Sequence, residues 1–316
     1  MNLTRFLRIY QSDEACLETI KDLRWPDGIV CPKCRHIEKF YKITGRMGYA
    51  CGKCGKHVYP LKGTIFEKTT LSLQMWFYAI FVITSTRSGV SAKQLQRELE
   101  VSYVTSHRMF KRIRAAMVEP EQALSGIVEV DETYVGGKTT NRRHKYGVSH
   151  VRKQVLMGMV ARGGRVKVVH IPNIGKHTLL GQIKKNITPG ATIMSDELPS
   201  YRWLSRMGYI HKSVEHAKGE YANGDSYTNT IENFWSHLKR GIYGVYRKVS
   251  PEYLGAYANE YAWRYNYRKK PEMMFPDLLA KASSSQVSEL PFLMPKKFEL
   301  PIIEEFFEDD GPHGYF

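Results

Sequence analysis

Two sets of side chains in this sequence have the types and spacing for chemistry. Asp131, Asp196 and Glu232 form one, and Cys31, Cys34, Cys51 and Cys54 the other. Carboxylates brought together repel one another, and divalent cations are the usual relief. A convergent trio of acids therefore predicts two Mg2+ or Mn2+ ions and phosphoryl transfer on nucleic acid. Cys31-Pro32-Lys33-Cys34 and Cys51-Gly52-Lys53-Cys54 are two Cys-x2-Cys pairs with sixteen residues between them, the pattern of a closed four-thiolate site for one structural Zn2+. In a reducing compartment such pairs bind metal rather than form disulfides. The fifth cysteine, Cys16, reads as a buried apolar residue.

The acids need a scaffold that makes them converge. Ile127 to Glu132 alternates as a strand, with Val128 and Val130 on one face and Asp131 on the other, and meets a turn at Tyr134-Val135-Gly136-Gly137. Val155 to Val160 and Arg165 to Ile171 extend it to an antiparallel meander. The helix His177 to Asn186 leads to the strand Ala191 to Met194, which runs into Ser195-Asp196-Glu197, and a further helix-strand pass ends at Val214-Glu215-His216. Last comes the amphipathic helix Asn229 to Ile242. Ile231, Phe234, Trp235, Leu238 and Ile242 face its core side, and Asn229, Glu232, Ser236 and Lys239 its polar side. This order describes a ribonuclease-H-like domain. With the first strand central and the strand ending at Asp196 beside it, the helix delivers Glu232 to both aspartates. Structural roles compete at each acid. Asp196 could cap the following helix, Asn229 with Glu232 resembles a capping pair, and Glu129, Glu132 and Glu197 lie close enough to take a ligand's place. His216, His237, Lys239 and Arg240 are either solvated or substrate-facing.

Lys and Arg number 47 against 31 Asp and Glu, a net charge of +16, so the default partner is a polyanion. Around the cysteines, Lys39 to Lys42 and Gly48 to Ala50 read as short strands of a zinc ribbon, and Lys33, Arg35, Lys53 and Lys56 are placed for phosphate contact. Helices follow over Leu71 to Thr86, over Ala92 to Leu99 with Ser91 as N-cap, and over Tyr103 to Met117. That is helix-turn-helix grammar, with His107, Arg108, Lys111 and Arg112 on the helix that would enter a DNA groove. The resulting organisation is multidomain, mixing α+β and α/β: zinc ribbon over 1–68, helix-turn-helix over 69–118, catalytic domain over 126–282 and an acidic tail over 283–316. No apolar signal core opens the chain, and Met75 to Ile83, its longest apolar stretch, is too short to span a bilayer. The expectation is a cytoplasmic protein with no membrane partner.

At these residues the chain resembles the insertion-sequence family numbered fifteen-ninety-five, the ISXO2-like DDE-type transposases with an amino-terminal zinc ribbon. The resemblance spans roughly residues 15–280. It is carried by the ribbon, by Val128-Glu129-Val130-Asp131-Glu132-Thr133-Tyr134-Val135-Gly136-Gly137, by Ser195-Asp196 and most specifically by Thr228 to Arg240, with Gly241, Gly244, Tyr246 and Glu260 to Asn266 after it. It implies a DDE triad of Asp131, Asp196 and Glu232, the last two separated by thirty-five residues. Groups within the family carry Glu, Asn or His as the third residue, which keeps Asn229 as a minority candidate. Tyr227 departs from the His that members often carry, and Asn141 to Lys153 matches loosely. The implied activity is binding of terminal inverted repeats, cleavage of the element ends and joining of their 3′-hydroxyls to target DNA. Lys239 and Arg240 would hold the DNA strand, in a dimer or larger homo-oligomer associated with the nucleoid. The alternatives are a DNA-binding regulator with an inactive catalytic domain, and a ribonuclease-H-like nuclease without strand transfer.

Overall fold

Five helices of this chain begin in the same way. Asn2, Ser12, Ser72, Ser91 and Ser102 each accept a hydrogen bond from the backbone N–H three residues on, satisfying one of the donors that a helix start leaves orphaned. They open α1 (Leu3–Ile9), α2 (Asp13–Arg24), α3 (Leu73–Ser85), α4 (Ala92–Leu99) and α5 (Tyr103–Ala115). The computed structural model describes residues 1–37, 39–119, 122–136, 153–196, 198–213 and 228–284. Of these, Met1–Val118 and the chain from Tyr267 onward form one compact unit, and Glu119–Asn266 form a second.

In the first unit, β1 (Phe40–Lys42), β2 (Tyr49–Cys51) and β3 (His57–Val58) make a small antiparallel sheet in that order. The expected ribbon strands are present, and β3 is added to them. Within the span 1–68, α1 and α2 precede the sheet. Cys16, Leu17 and Ile20 lie on one side of α2 and are fully buried, which is what makes that segment a helix of the core. The expected catalytic domain reaches residue 282; the second compact unit ends at Asn266, and α9 (Met274–Ser283) packs with α2 and α3. Met274, Phe275, Leu278 and Leu279 form its buried stripe, and the Phe275 ring lies 5.9 Å from Tyr10 and 6.1 Å from Phe6.

The second unit is built on β4 (Ile127–Val135), the centre of a five-stranded sheet. Its neighbours are β5 (Gln154–Ala161) and β6 (Val166–Ile171) on one side, β7 (Thr192–Ser195) and β8 (Ile210–Ser213) on the other, in the order β6-β5-β4-β7-β8. β4, β5 and β6 are antiparallel, whereas β7 runs parallel to β4 and β8 to β7. This is the ribonuclease-H-like arrangement, with the acid-bearing strand central as expected. Tyr134 and Val135, expected in a turn, continue the strand because the ladder runs to the pair Val135 and Gln154. One face of the sheet, with Val128 and Val130, packs with α6 (Lys176–Asn186) and a 3-10 segment (Pro199–Met207). The other face carries α7 (Asn229–Gly241) and α8 (Leu254–Asn266), through Ile231, Phe234, Trp235, Leu238 and Ala258 among others. Gly137, residues 141–152, Glu197, His216, Tyr227 and the tail from residue 285 lie outside the described residues.

Candidate active site

Parallel pairing of Val128 with Ile193 and Glu129 with Met194 sets Asp131, midway along β4, beside Asp196, just past the end of β7. Ligand oxygens of Asp131, Glu132 and Asp196 all lie within 4.8 Å of one another. Glu132 is the member that the acid trio of the sequence did not contain. Alternation sends it to the face opposite Asp131, where it accepts a hydrogen bond from the fully buried Tyr201 hydroxyl. Burial pushes the Asp131 carboxyl up to about 6, against the lowering effect of the Trp235 indole, with the charges of Asp196 and Glu232 raising it further. Burial also pushes Glu132 up to about 7, opposed by the Tyr201 hydroxyl and reinforced by Asp131 and Asp196. Asp196 accepts the Leu198 N–H at 3.2 Å, closing a turn before the 3-10 segment rather than capping it as the helix-cap alternative has it, and it also has a place in the cluster.

Glu232 stands outside the 4.8 Å set, yet it is near enough for its charge to act on Asp131. It is exposed on the first turn of α7, where it accepts a 3.2 Å hydrogen bond from Thr228 Oγ1. The expected capping pair of Asn229 with Glu232 is replaced by a longer-range one. Glu129, fully buried, accepts the backbone N–H of Thr230 at 2.9 Å and of Ile231 at 3.1 Å, and so caps α7 from β4. Asn229 is exposed at the start of that helix. Trp235, expected in the core, is buried and also donates its indole N–H to Asp131 Oδ2 at 2.9 Å. Room for it comes from Gly158, paired with Asp131 across the ladder. A Cβ there would lie 2.5 Å from the Trp235 ring and 2.7 Å from Ile231 Cδ1. A glycine inside the apolar strand Met157-Gly158-Met159 is the signal by which such a close approach could have been found.

Further along α7, Lys239 is half-buried, and Arg240 is exposed with its guanidinium bonded to Ser236 O and Oγ. In the first unit, Arg108 is exposed on α5, whereas His107 and Lys111 are half-buried. Arg112 is half-buried, and its guanidinium donates to the carbonyls of Ile65 at 2.8 Å and Glu67 at 3.1 Å.

The four ribbon cysteines converge. Their Sγ atoms lie within 4.8 Å of one another, with Cys31 and Cys54 at 3.5 Å and Cys34 and Cys51 at 3.7 Å. Zinc–sulfur bonds of about 2.3 Å in a tetrahedron require sulfur separations of about 3.8 Å, so the donor set fits that ion. The two knuckles repeat one backbone geometry. Arg35 N bonds Cys31 O and Gly55 N bonds Cys51 O, and both residues adopt positive φ, 61° and 69°. Glycine accommodates that conformation freely and arginine at some cost.

Two family models match the chain. The ISXO2-like transposase domain covers residues 123–266 and the transposase zinc-ribbon domain residues 11–57. A transposase-like protein of Haemophilus influenzae is 30% identical over 102 residues, which are 32% of this chain and 81% of that protein. This chain belongs to the ISXO2-like transposases. The protein in transposable element ISH50 of Halobacterium salinarum is 27% identical over 286 residues, covering 84% of this transposase and 95% of its relative. Among solved structures, the Mos1 Strand Transfer Complex shares 12% identity over 66% of this chain and 78% of its own, with a TM-score of 0.21, too slight a likeness to bear on site or activity. The domain match ends at Asn266, where the second compact unit also ends. No helix among the described residues is long and apolar enough to cross a membrane.

Proposed function

We propose that this transposase binds the terminal inverted repeats of its element, cleaves the element ends and joins their 3′-hydroxyls to target DNA. The observation that carries the reading is the convergence of Asp131, Glu132 and Asp196 within 4.8 Å, two of them with raised pKa values. Hard oxygen donors crowded in this way fit Mg2+ or Mn2+. Two such ions, when bound, supply Lewis acidity to the attacking and departing oxygens of phosphoryl transfer. The chain's own residues do the rest. Asp131, midway along β4, and Asp196, just past the end of β7, hold the site, Trp235 fixes one Asp131 oxygen, and α7 presents Glu232 as the third acid, with Lys239 and Arg240 along the DNA strand. Cys31, Cys34, Cys51 and Cys54 hold one zinc, and α4 and α5 contact the repeats through Arg108, with His107 and Lys111 beside it. Assembly is as a homo-oligomer on DNA, in the cytoplasm.

The test supplies duplexes ending in the terminal repeat, a target plasmid and Mg2+ or Mn2+, and looks for 3′ ends joined to target. Asp131→Asn and Asp196→Asn are expected to abolish cleavage and joining while leaving end binding intact. Hydrolysis without joined product would favour the nuclease reading, and full activity of both variants would refute the site. The position of Glu132 in the cluster favours a second assignment, in which it is a ligand alongside or in place of Glu232. Parallel Glu132→Gln and Glu232→Gln variants decide it: the ligand is the one whose loss removes chemistry but not DNA binding.

A further inference from the structure

Glu129 is a fully buried carboxylate two residues before Asp131 on the same face of β4, and it lies outside the convergent acids. Its oxygens are occupied otherwise. Besides the N–H groups of Thr230 and Ile231, it accepts Thr230 Oγ1 at 2.9 Å and Arg162 Nε at 2.9 Å. Arg162 supplies the countercharge from just beyond β5, and its side chain is itself largely buried. The orphan donors and positive end of α7's dipole thus rest on a carboxylate of the central strand, 101 residues away in sequence.

A second tie binds the same two elements. The Trp235 indole reaches Asp131, so α7 is clamped to β4 at Glu129 through its first turn and at Asp131 through the next. Glu232 follows Ile231 directly and lies between the two ties. Where α7 sits on the sheet therefore decides both how far Glu232 reaches and how one Asp131 oxygen is held.

We infer that Glu129 is a positioning residue for strand cleavage and joining: it seats α7 and through it sets the reach of Glu232 toward Asp131 and Asp196. The inference rests on the acid assignments proposed above. An ordinary stabilising role would lower the melting temperature and leave the native site unchanged. A positioning role changes the native site itself.

The experiment uses the full chain labelled with nitrogen-15, with the Trp235 indole signal assigned by its loss in Trp235→Phe. Well below its melting temperature, Glu129→Gln is expected to shift the indole signal. The single-turnover cleavage rate on saturating end DNA should fall on the order of 100-fold, the usual cost of a 1 Å misplacement. DNA affinity should stay within twofold. Thr230→Val removes only the hydroxyl bond and should move the indole signal in the same direction, with about a three- to tenfold loss of rate. An unshifted indole or a wild-type rate in folded Glu129→Gln overturns the inference. If that variant does not fold, the same two results in Thr230→Val overturn it. Wild-type cleavage by Asp131→Asn would instead sink the acid assignments, and the indole shift still reports whether Glu129 seats the helix.

Discussion

Asp131, raised to about 6, and Glu132, raised to about 7, bind protons in the folded metal-free chain that they would release when unfolded at the same pH. Their contribution to stability is therefore fully present below the ordinary carboxylate range, and it is lost as pH climbs through about 6 and then about 7. A divalent ion takes the place of those protons, so its affinity must rise over the same interval. Mn2+ titrations by calorimetry are expected to show weak binding near pH 5 and up to about tenfold tightening per pH unit for each proton displaced. Affinity that stays level between pH 5 and 8 would refute carboxylate ligation. The sequence pointed to Asp131 and Asp196 because one lies on a legible alternating strand and the other directly after the next one. It left Glu129 and Glu132 undecided, since alternation assigns a side chain to a face and says nothing of its partner there. For Glu129 that partner is a helix start 101 residues on, and for Glu132 it is Tyr201 in a 3-10 segment.

At the scale of elements, α7 on the sheet is the contact that assembles the site, and Gly158 permits it. A methyl group at this position would press on the Trp235 ring and Ile231 Cδ1, both in the tightly packed core on that face. Overpacking of this kind costs about 1–3 kcal/mol. Gly158→Ala is thus expected to lower the melting temperature of the second unit by several degrees and to slow cleavage, because α7 must lift to admit the methyl group. Thermal melts followed by circular dichroism check the first effect, and an unchanged melt would show that the helix can yield without cost. Element order and the pairing of β4 with β7 were readable from alternation, turns and the polar face of α7. Strand ends were less so: Tyr134 and Val135 look like a turn beside glycines, but their ladder to β5 keeps them extended. Local turn chemistry lost there to tertiary pairing, as propensity often does.

For the whole molecule, the main surprise is that the chain ends its described course in the unit where it began. Read in order, residues after Asn266 look like a continuation of the catalytic domain, because sequence distance alone cannot reveal a return. The buried stripe of α9 gives the reason for it. Met274, Phe275, Leu278 and Leu279 are nearly inaccessible to solvent, and each such side chain contributes about 1.5–3 kcal/mol when buried. Their sum is comparable with the whole stability of a typical domain, roughly 5–15 kcal/mol. A chain ending at Asn266 should therefore lose the cover of α2 and α3, while the sheet of the second unit remains intact. Hydrogen exchange read by mass spectrometry is the measurement, with a chain ending at Ser284 as the control that retains α9. The expected result is loss of protection in Asp13–Arg24 and Leu73–Ser85 in the shorter chain only, with β4, β5 and β7 protected equally in both. Equal protection of α2 and α3 in the two chains would mean that α9 is dispensable to the first unit. The same reasoning bears on DNA binding. A fragment of residues 1–118 contains the ribbon, α4 and α5 but lacks the helix that covers Phe6 and Tyr10, so its weak binding would report lost structure rather than lost contacts. End binding is therefore measured on chains that keep α9, where Arg108→Ala is expected to weaken it and Arg112→Ala to lower stability first, since Arg112 holds the carbonyls of Ile65 and Glu67.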